Sequence, residues 1–233
     1  MDFIILISIN YVLTIMASKQ HIIILDQDDS LLSIKPLIDK ALNDGILKSQ
    51  IVLGFDVDGT LTDLKTKNSF IPRGGDNTRQ LFEWLNESEI KWFAISARPY
   101  DIGSLEGVIT SLRVMGSPSP EWSSKDLIME NTLLLNNNEI YTILEYNNII
   151  SAVLPNSRDS YDKHASLEYA IMTYFIEYPK LVIFVDDNAL NIVTLYEHFK
   201  NRDCQFIGIL YTPHKIESGH VECLPILEEL MKL

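Results

Sequence analysis

Aspartates occupy positions 56 and 58 in the run DVDGT (residues 56–60), directly after an apolar stretch, IVLGF, at residues 51–55. On an extended chain, residues two apart point to the same side, so both carboxylates crowd one spot. Like charges that close are costly unless one takes up a proton or a cation sits between them. A hard divalent ion resolves the conflict, and Mg²⁺ favours oxygen ligands, with waters and a substrate phosphate completing its octahedron. A second acidic pair, Asp186 and Asp187, follows the apolar run LVIFV at residues 181–185. Asn191 stands four residues beyond Asp187, one turn into a helix with Ile192, Leu195, Tyr196 and Phe199 on its apolar face. It therefore faces the same way as Asp187 and can ligate a metal or hold a metal-bound water. Ser96 ends another apolar run, KWFAI. Lys163 begins a segment, residues 160–178, in which Leu167, Ala170, Ile171, Tyr174, Phe175 and Tyr178 recur at amphipathic-helix spacing. A helix N-terminus disfavours a cation, so a lysine there makes sense opposite a carboxylate or a phosphate.

These residues need a scaffold that brings strand ends together. Residues 22–25, 51–55, 91–96, 181–185 and 205–210 read as short buried strands. Helical patterns fall at 34–47, 76–87 and 160–178, with a last short one at 225–231. Alternation of this kind predicts an α/β fold, a Rossmann-like, mostly parallel sheet with helices on both faces. Ligands of such sheets bind at the carboxyl ends of the strands, where Asp56, Asp58, Thr60, Ser96, Asp186 and Asp187 all fall. Residues 132–154 break the rhythm, with β-prone runs separated by Asn-rich turns. They predict a small antiparallel hairpin or meander inserted beside the sheet.

The totals bound the alternatives. With 233 residues, 46% apolar and 22% charged, the chain has the composition of a folded domain with a sizeable core. Acids outnumber bases by 32 to 19, giving a net charge of −13. Such a surface repels phosphate backbones and anionic membranes, which argues against nucleic-acid binding. Two cysteines, Cys204 and Cys223, are too few for a zinc ribbon but could form one bridge after export. Residues 3–17 (FIILISINYVLTIMA) are almost wholly apolar, short for a membrane span and the right length for the core of a signal peptide. Residues 1–19 are thus expected to be an export signal, leaving a periplasmic or secreted domain at 20–233 with no stable membrane span. The alternatives are an uncleaved anchor, or a cytoplasmic protein with a buried strand or a misassigned start.

The order of these features resembles the four motifs of the haloacid dehalogenase-like (HAD) hydrolase superfamily, phosphatase type, across residues 50–210. The matching elements are DVDGT after an apolar run, a strand ending in Ser96, Lys163 at a helix start, and a strand ending in Asp186 and Asp187. A narrower resemblance, in the apolar N-terminus and in FVDDN and QFIGILYT, is to an uncharacterised bacterial branch of HAD-like proteins taken to be exported. The resemblance implies Mg²⁺-dependent hydrolysis of phosphomonoesters through an aspartyl-phosphate. Asp56 would be the nucleophile and Asp58 the general acid and base. Thr60, Ser96 and Lys163 would hold phosphate, while Asp187, with Asp186 or Asn191, would complete a metal site shared with Asp56 and the Asp58 carbonyl. Residues 61–75 would form a flap too short for a helical cap, leaving a site open to small or macromolecular phosphoesters.

Three other readings compete. A two-component receiver domain also gathers Asp, Thr or Ser and Lys around Mg²⁺, but its acidic pair lies on the first strand and its lysine comes late. Here the pair at 186 and 187 follows the lysine, which argues against it. A binding or effector scaffold with weak catalysis would tolerate Asp56→Asn, unlike a phosphatase. A phosphotransferase shares the mechanism up to the acceptor. His164, His198, His214 and His220 lack ligand spacing and read as surface or loop residues. Arg98 divides evenly between a substrate contact and a loop salt bridge.

Overall fold

A computed structural model describes residues 3–6, 20–26, 30–61, 75–96, 129–134, 140–146, 149–153 and 163–212. The strands are β1 (Phe3–Leu6), β2 (Gln20–Asp26), β3 (Ile51–Asp56), β4 (Lys91–Ile95), β5 (Met129–Leu134), β6 (Ile140–Tyr146), β7 (Ile149–Val153), β8 (Leu181–Asp186) and β9 (Gln205–Thr212). The helices are α1 (Ile34–Asn43), α2 (Asp76–Ser88), α3 (Lys163–Tyr174) and α4 (Ala189–Phe199). One sheet runs in the order β1-β2-β9-β8-β3-β4-β7-β6-β5. Every pairing from β1 to β7 in that order is parallel, and only β7–β6 and β6–β5 are antiparallel. The α/β, Rossmann-like reading is therefore correct.

Strand alternation sorts the core into two layers. Ile51, Leu53 and Phe55 of β3 pack with Leu37 and Ile38 of α1 and Leu81, Phe82 and Leu85 of α2. Val52 of β3 and Val182 and Phe184 of β8 pack with Leu167 and Ala170 of α3 and Ile192, Leu195 and Phe199 of α4. Every residue of β3 and β8 is buried, as a parallel strand covered on both faces demands. The chain leaves β3 toward α2 on one face and leaves β8 toward α4 on the other. β3 and β8 are neighbours, so their carboxyl ends open the crevice where such sheets bind ligands.

Two expectations change. The 132–154 segment does not sit beside the sheet but completes it. β7 pairs with β4 through Ala94↔Ile149 and Ile95↔Ile150, satisfying an edge that would otherwise expose backbone donors and acceptors. Residues 151–153, paired with 142–144, continue past Ile95 and wall the carboxyl edge. Nor is α3 amphipathic: Lys163, Ala165, Ser166, Leu167, Glu168, Tyr169, Ala170 and Ile171 are all buried, because α3 packs on β4, β6 and β7 of the sheet and, alongside, against α4. Residues 62–74 of the 61–75 flap, Arg98, Cys223, His214, His220 and the 225–231 helix lie outside the described residues. Within 1–19, Phe3–Leu6 is an edge strand parallel to β2.

Candidate active site

Asp56 is the last residue of β3, and its register partner on β4 is Ile95, immediately before Ser96. On the other side Phe55 pairs with Val185, which puts Asp186 beside Asp56 at the end of β8. Parallel register alone thus stacks Asp56, Ser96 and Asp186 along one sheet edge. Asp56, Ser96 and Asp186 are all buried.

Lys163, the first residue of α3, reaches down to this edge. Its Nζ donates to Asp56 Oδ1 at 2.5 Å and to Asp186 Oδ2 at 2.7 Å, with all three side chains at most 9% exposed. Thr60 Oγ1 donates to Asp56 Oδ2 at 3.1 Å and accepts the Asp187 backbone N–H at 2.9 Å. Its single proton is given to the aspartate, so the hydroxyl couples the two strand ends. Asn191 Nδ2 donates to Asp186 Oδ2 at 3.0 Å, and the Asn188 N–H donates to Asp186 Oδ1 at 2.8 Å. Asn191 thereby orients a carboxylate. Asn188 also caps α4 by accepting the Leu190 N–H at 2.9 Å, which sets the direction in which Asn191 leaves the helix.

One oxygen from each of Asp56, Asp186 and Asp187 lies within 4.8 Å of the others. An all-oxygen, carboxylate-rich set suits a hard divalent cation. The charge balance points the same way. Burial, then the neighbouring Asp186 charge, pushes the Asp56 carboxyl up to about 7 despite Lys163 and Thr60. Burial also raises Asp186. Burial opposes the Lys163 ammonium, but the two carboxylates outweigh it and raise its pKa. One lysine does not neutralise the acids gathered here, and a bound cation would.

The structure brings together Asp56, Thr60, Lys163, Asp186, Asp187 and Asn191, and sets Ser96 on the adjoining strand end. Asp58 is half-buried and lies outside the carboxylate trio. β3 ends at Asp56, and the neighbouring acid whose charge raises the Asp56 carboxyl is Asp186, at the end of β8. Gly59 was not singled out from the sequence. It has φ +85, and a Cβ there would stand 2.1 Å from Asp187 Oδ2. Only glycine lets the loop after β3 pass this close to the second acidic pair. His164 and His198 are helical, with ring centroids 4.8 Å apart where α3 meets α4, rather than loop residues.

Residues 159–227 match the model of a family described as a protein of unknown function (DUF2608). That span takes in Lys163, Asp186, Asp187 and Asn191 but not Asp56. No curated protein and no solved structure matches the chain.

Proposed function

We propose that the chain is a HAD-type phosphoric monoester hydrolase. The observation that carries the reading is the buried ammonium of Lys163 held between Asp56 and Asp186 at adjoining strand ends. Phosphoryl transfer asks mainly for positioning and charge neutralisation, and this arrangement supplies both.

In the proposed reaction the substrate phosphate enters at the carboxyl edge, beside Lys163 and Ser96. Asp56 attacks phosphorus; an Asp56 O–P bond forms while the bond to the leaving oxygen breaks. Asp58 gives its proton to that oxygen and the alcohol departs. Asp58 then takes a proton from water, whose oxygen attacks the aspartyl-phosphate, freeing Asp56 and inorganic phosphate. Lys163 offsets charge on both phosphate and nucleophile, while Thr60 and Asn191 hold the carboxylates in place. Mg²⁺, held by Asp56 and Asp187 with Asp186 and the Asp58 carbonyl adjoining, would supply further charge neutralisation on the phosphate oxygens. A phosphotransferase differs only in passing the group to an alcohol instead of water.

The test is to trap the intermediate. Acid quench of the full chain turning over a ³²P-labelled phosphomonoester should leave label on the peptide carrying Asp56. Turnover with no protein-bound label at any time after mixing would contradict a covalent route.

A further inference from the structure

We propose that Glu145 is a positioning residue for Lys163, acting through Tyr169 of α3. The inference rests on the reading of Lys163 as the group that neutralises the phosphate. Along β6, Tyr141, Ile143 and Glu145 share one face by strand alternation, and Tyr141 and Ile143 belong to the core layer under α3 and α4. A third apolar residue is expected there; the chain instead places a carboxylate that is 1% exposed. Tyr169 donates its hydroxyl to Glu145 Oε2 at 2.7 Å. Glu145 Oε1 is the one buried side-chain polar atom among the described residues without a hydrogen-bond partner. Such a group costs about 1–3 kcal/mol, so Glu145 works against the local stability of the fold. Residues that break a local rule in this way mark functional positions.

The register shows what the carboxylate is aligned with. Asp56 pairs with Ile95, Ile95 with Ile150, and Ile150 with Glu145. Glu145 therefore lies on the ladder row of the proposed nucleophile, three strands and about 14 Å away. Helix α3 crosses this row and makes a polar contact at each end, Lys163 with Asp56 and Tyr169 with Glu145. The two contacts are separated by about 9 Å of helix. Ala165 and Leu167 between them, and Ala170 just beyond Tyr169, add apolar surface to the same core layer, a non-directional attraction that resists small slides and rotations weakly. Glu168 of the same helix is tied to His198 and Arg202, on the α4 side. The Tyr169–Glu145 bond thus fixes the helix against the meander, and a directional bond holds a register that packing alone does not. Burial, then Glu145, raises the Tyr169 hydroxyl to about 12, which keeps it a donor.

Three variants of the full chain test this: Glu145→Leu, Tyr169→Phe and Glu145→Gln. Readouts are the melting temperature, the ¹⁵N–¹H signal of the Lys163 ammonium, and Mg²⁺-dependent hydrolysis of para-nitrophenyl phosphate. Glu145→Leu should keep the wild-type melting temperature or exceed it, whereas Tyr169→Phe, which leaves both Glu145 oxygens without the tyrosine hydroxyl, should lower it. Both should shift or broaden the Lys163 signal and lower kcat about tenfold through misplacement, and Glu145→Gln, which retains an acceptor, should restore both. An unmoved Lys163 signal in both variants overturns the proposal. So does a kcat loss in Glu145→Leu that tracks a falling melting temperature without rescue by glutamine, the pattern of a packing residue. If the wild type hydrolyses nothing, the phosphatase reading fails on its own, while the Lys163 signal still decides whether Glu145 positions it.

Discussion

At the scale of single residues, the site is stabilised poorly and poised for charge. The Asp56 carboxyl is raised from 3.8 to about 7, first by burial and then by Asp186. The folded ion-free chain therefore holds a proton that the unfolded chain releases. Stability from that proton is complete below about pH 4 and is lost as pH rises through 7. Mg²⁺ should raise the melting temperature, and more at pH 8 than at pH 5; an increment independent of pH would contradict the charge account. Gly59→Ala should cost about 1–3 kcal/mol in denaturant unfolding, since the new Cβ meets Asp187 at a positive φ. It should also weaken Mg²⁺ binding measured by calorimetry. The DVDGT run and both acidic pairs were legible in the sequence, because strand ends announce themselves by an abrupt change from apolar to acidic residues. The contact of Gly59 with Asp187 was not legible, since it exists only when β3 and β8 become neighbours.

At the scale of elements, α3 is the part that sequence periodicity describes least well. Its apolar positions suggested one buried stripe, yet Glu168 and Ser166 are buried too. A helix covered on several sides shows no stripe, and its polar residues survive because partners from other elements reach them. Glu168 accepts from Tyr178 at 3.0 Å, lies 2.6 Å from His198 Nε2 and 3.0 Å from an Arg202 nitrogen. Burial would raise its carboxyl, but these partners outweigh it and hold it below the usual range. A depressed pKa contributes stability that is present above the unfolded value and lost as pH falls through the folded one. Glu168→Gln should therefore cost about 1–3 kcal/mol at pH 7, with the difference from wild type shrinking in acid unfolding below pH 4. A loss that stays constant with pH would mean the clamp works by packing alone. The central strands were legible to within a residue or two because buried parallel strands are continuous apolar runs. The meander's place in the sheet was not, because its β-prone runs carry no record of which edge they join.

At the scale of the molecule, a net charge of −13 surrounds a site proposed to take anionic substrates. Screening should help the encounter, so kcat/KM for a small phosphomonoester should rise between low and physiological ionic strength. A fall would point to a cationic approach that the composition conceals. The N-terminal segment has two competing fates, cleavage as an export signal or retention as the edge strand of the sheet. A mature N-terminus near Ser18 supports export, and a retained Phe3 supports the strand. The central claim is the phosphatase chemistry of Asp56, and it is tested most directly by para-nitrophenyl phosphate hydrolysis with and without Mg²⁺, beside Asp56→Asn. The account predicts turnover that requires Mg²⁺ and falls at least about a thousandfold in the variant. Equal turnover by wild type and Asp56→Asn, or no Mg²⁺ binding by the folded wild type, would contradict it.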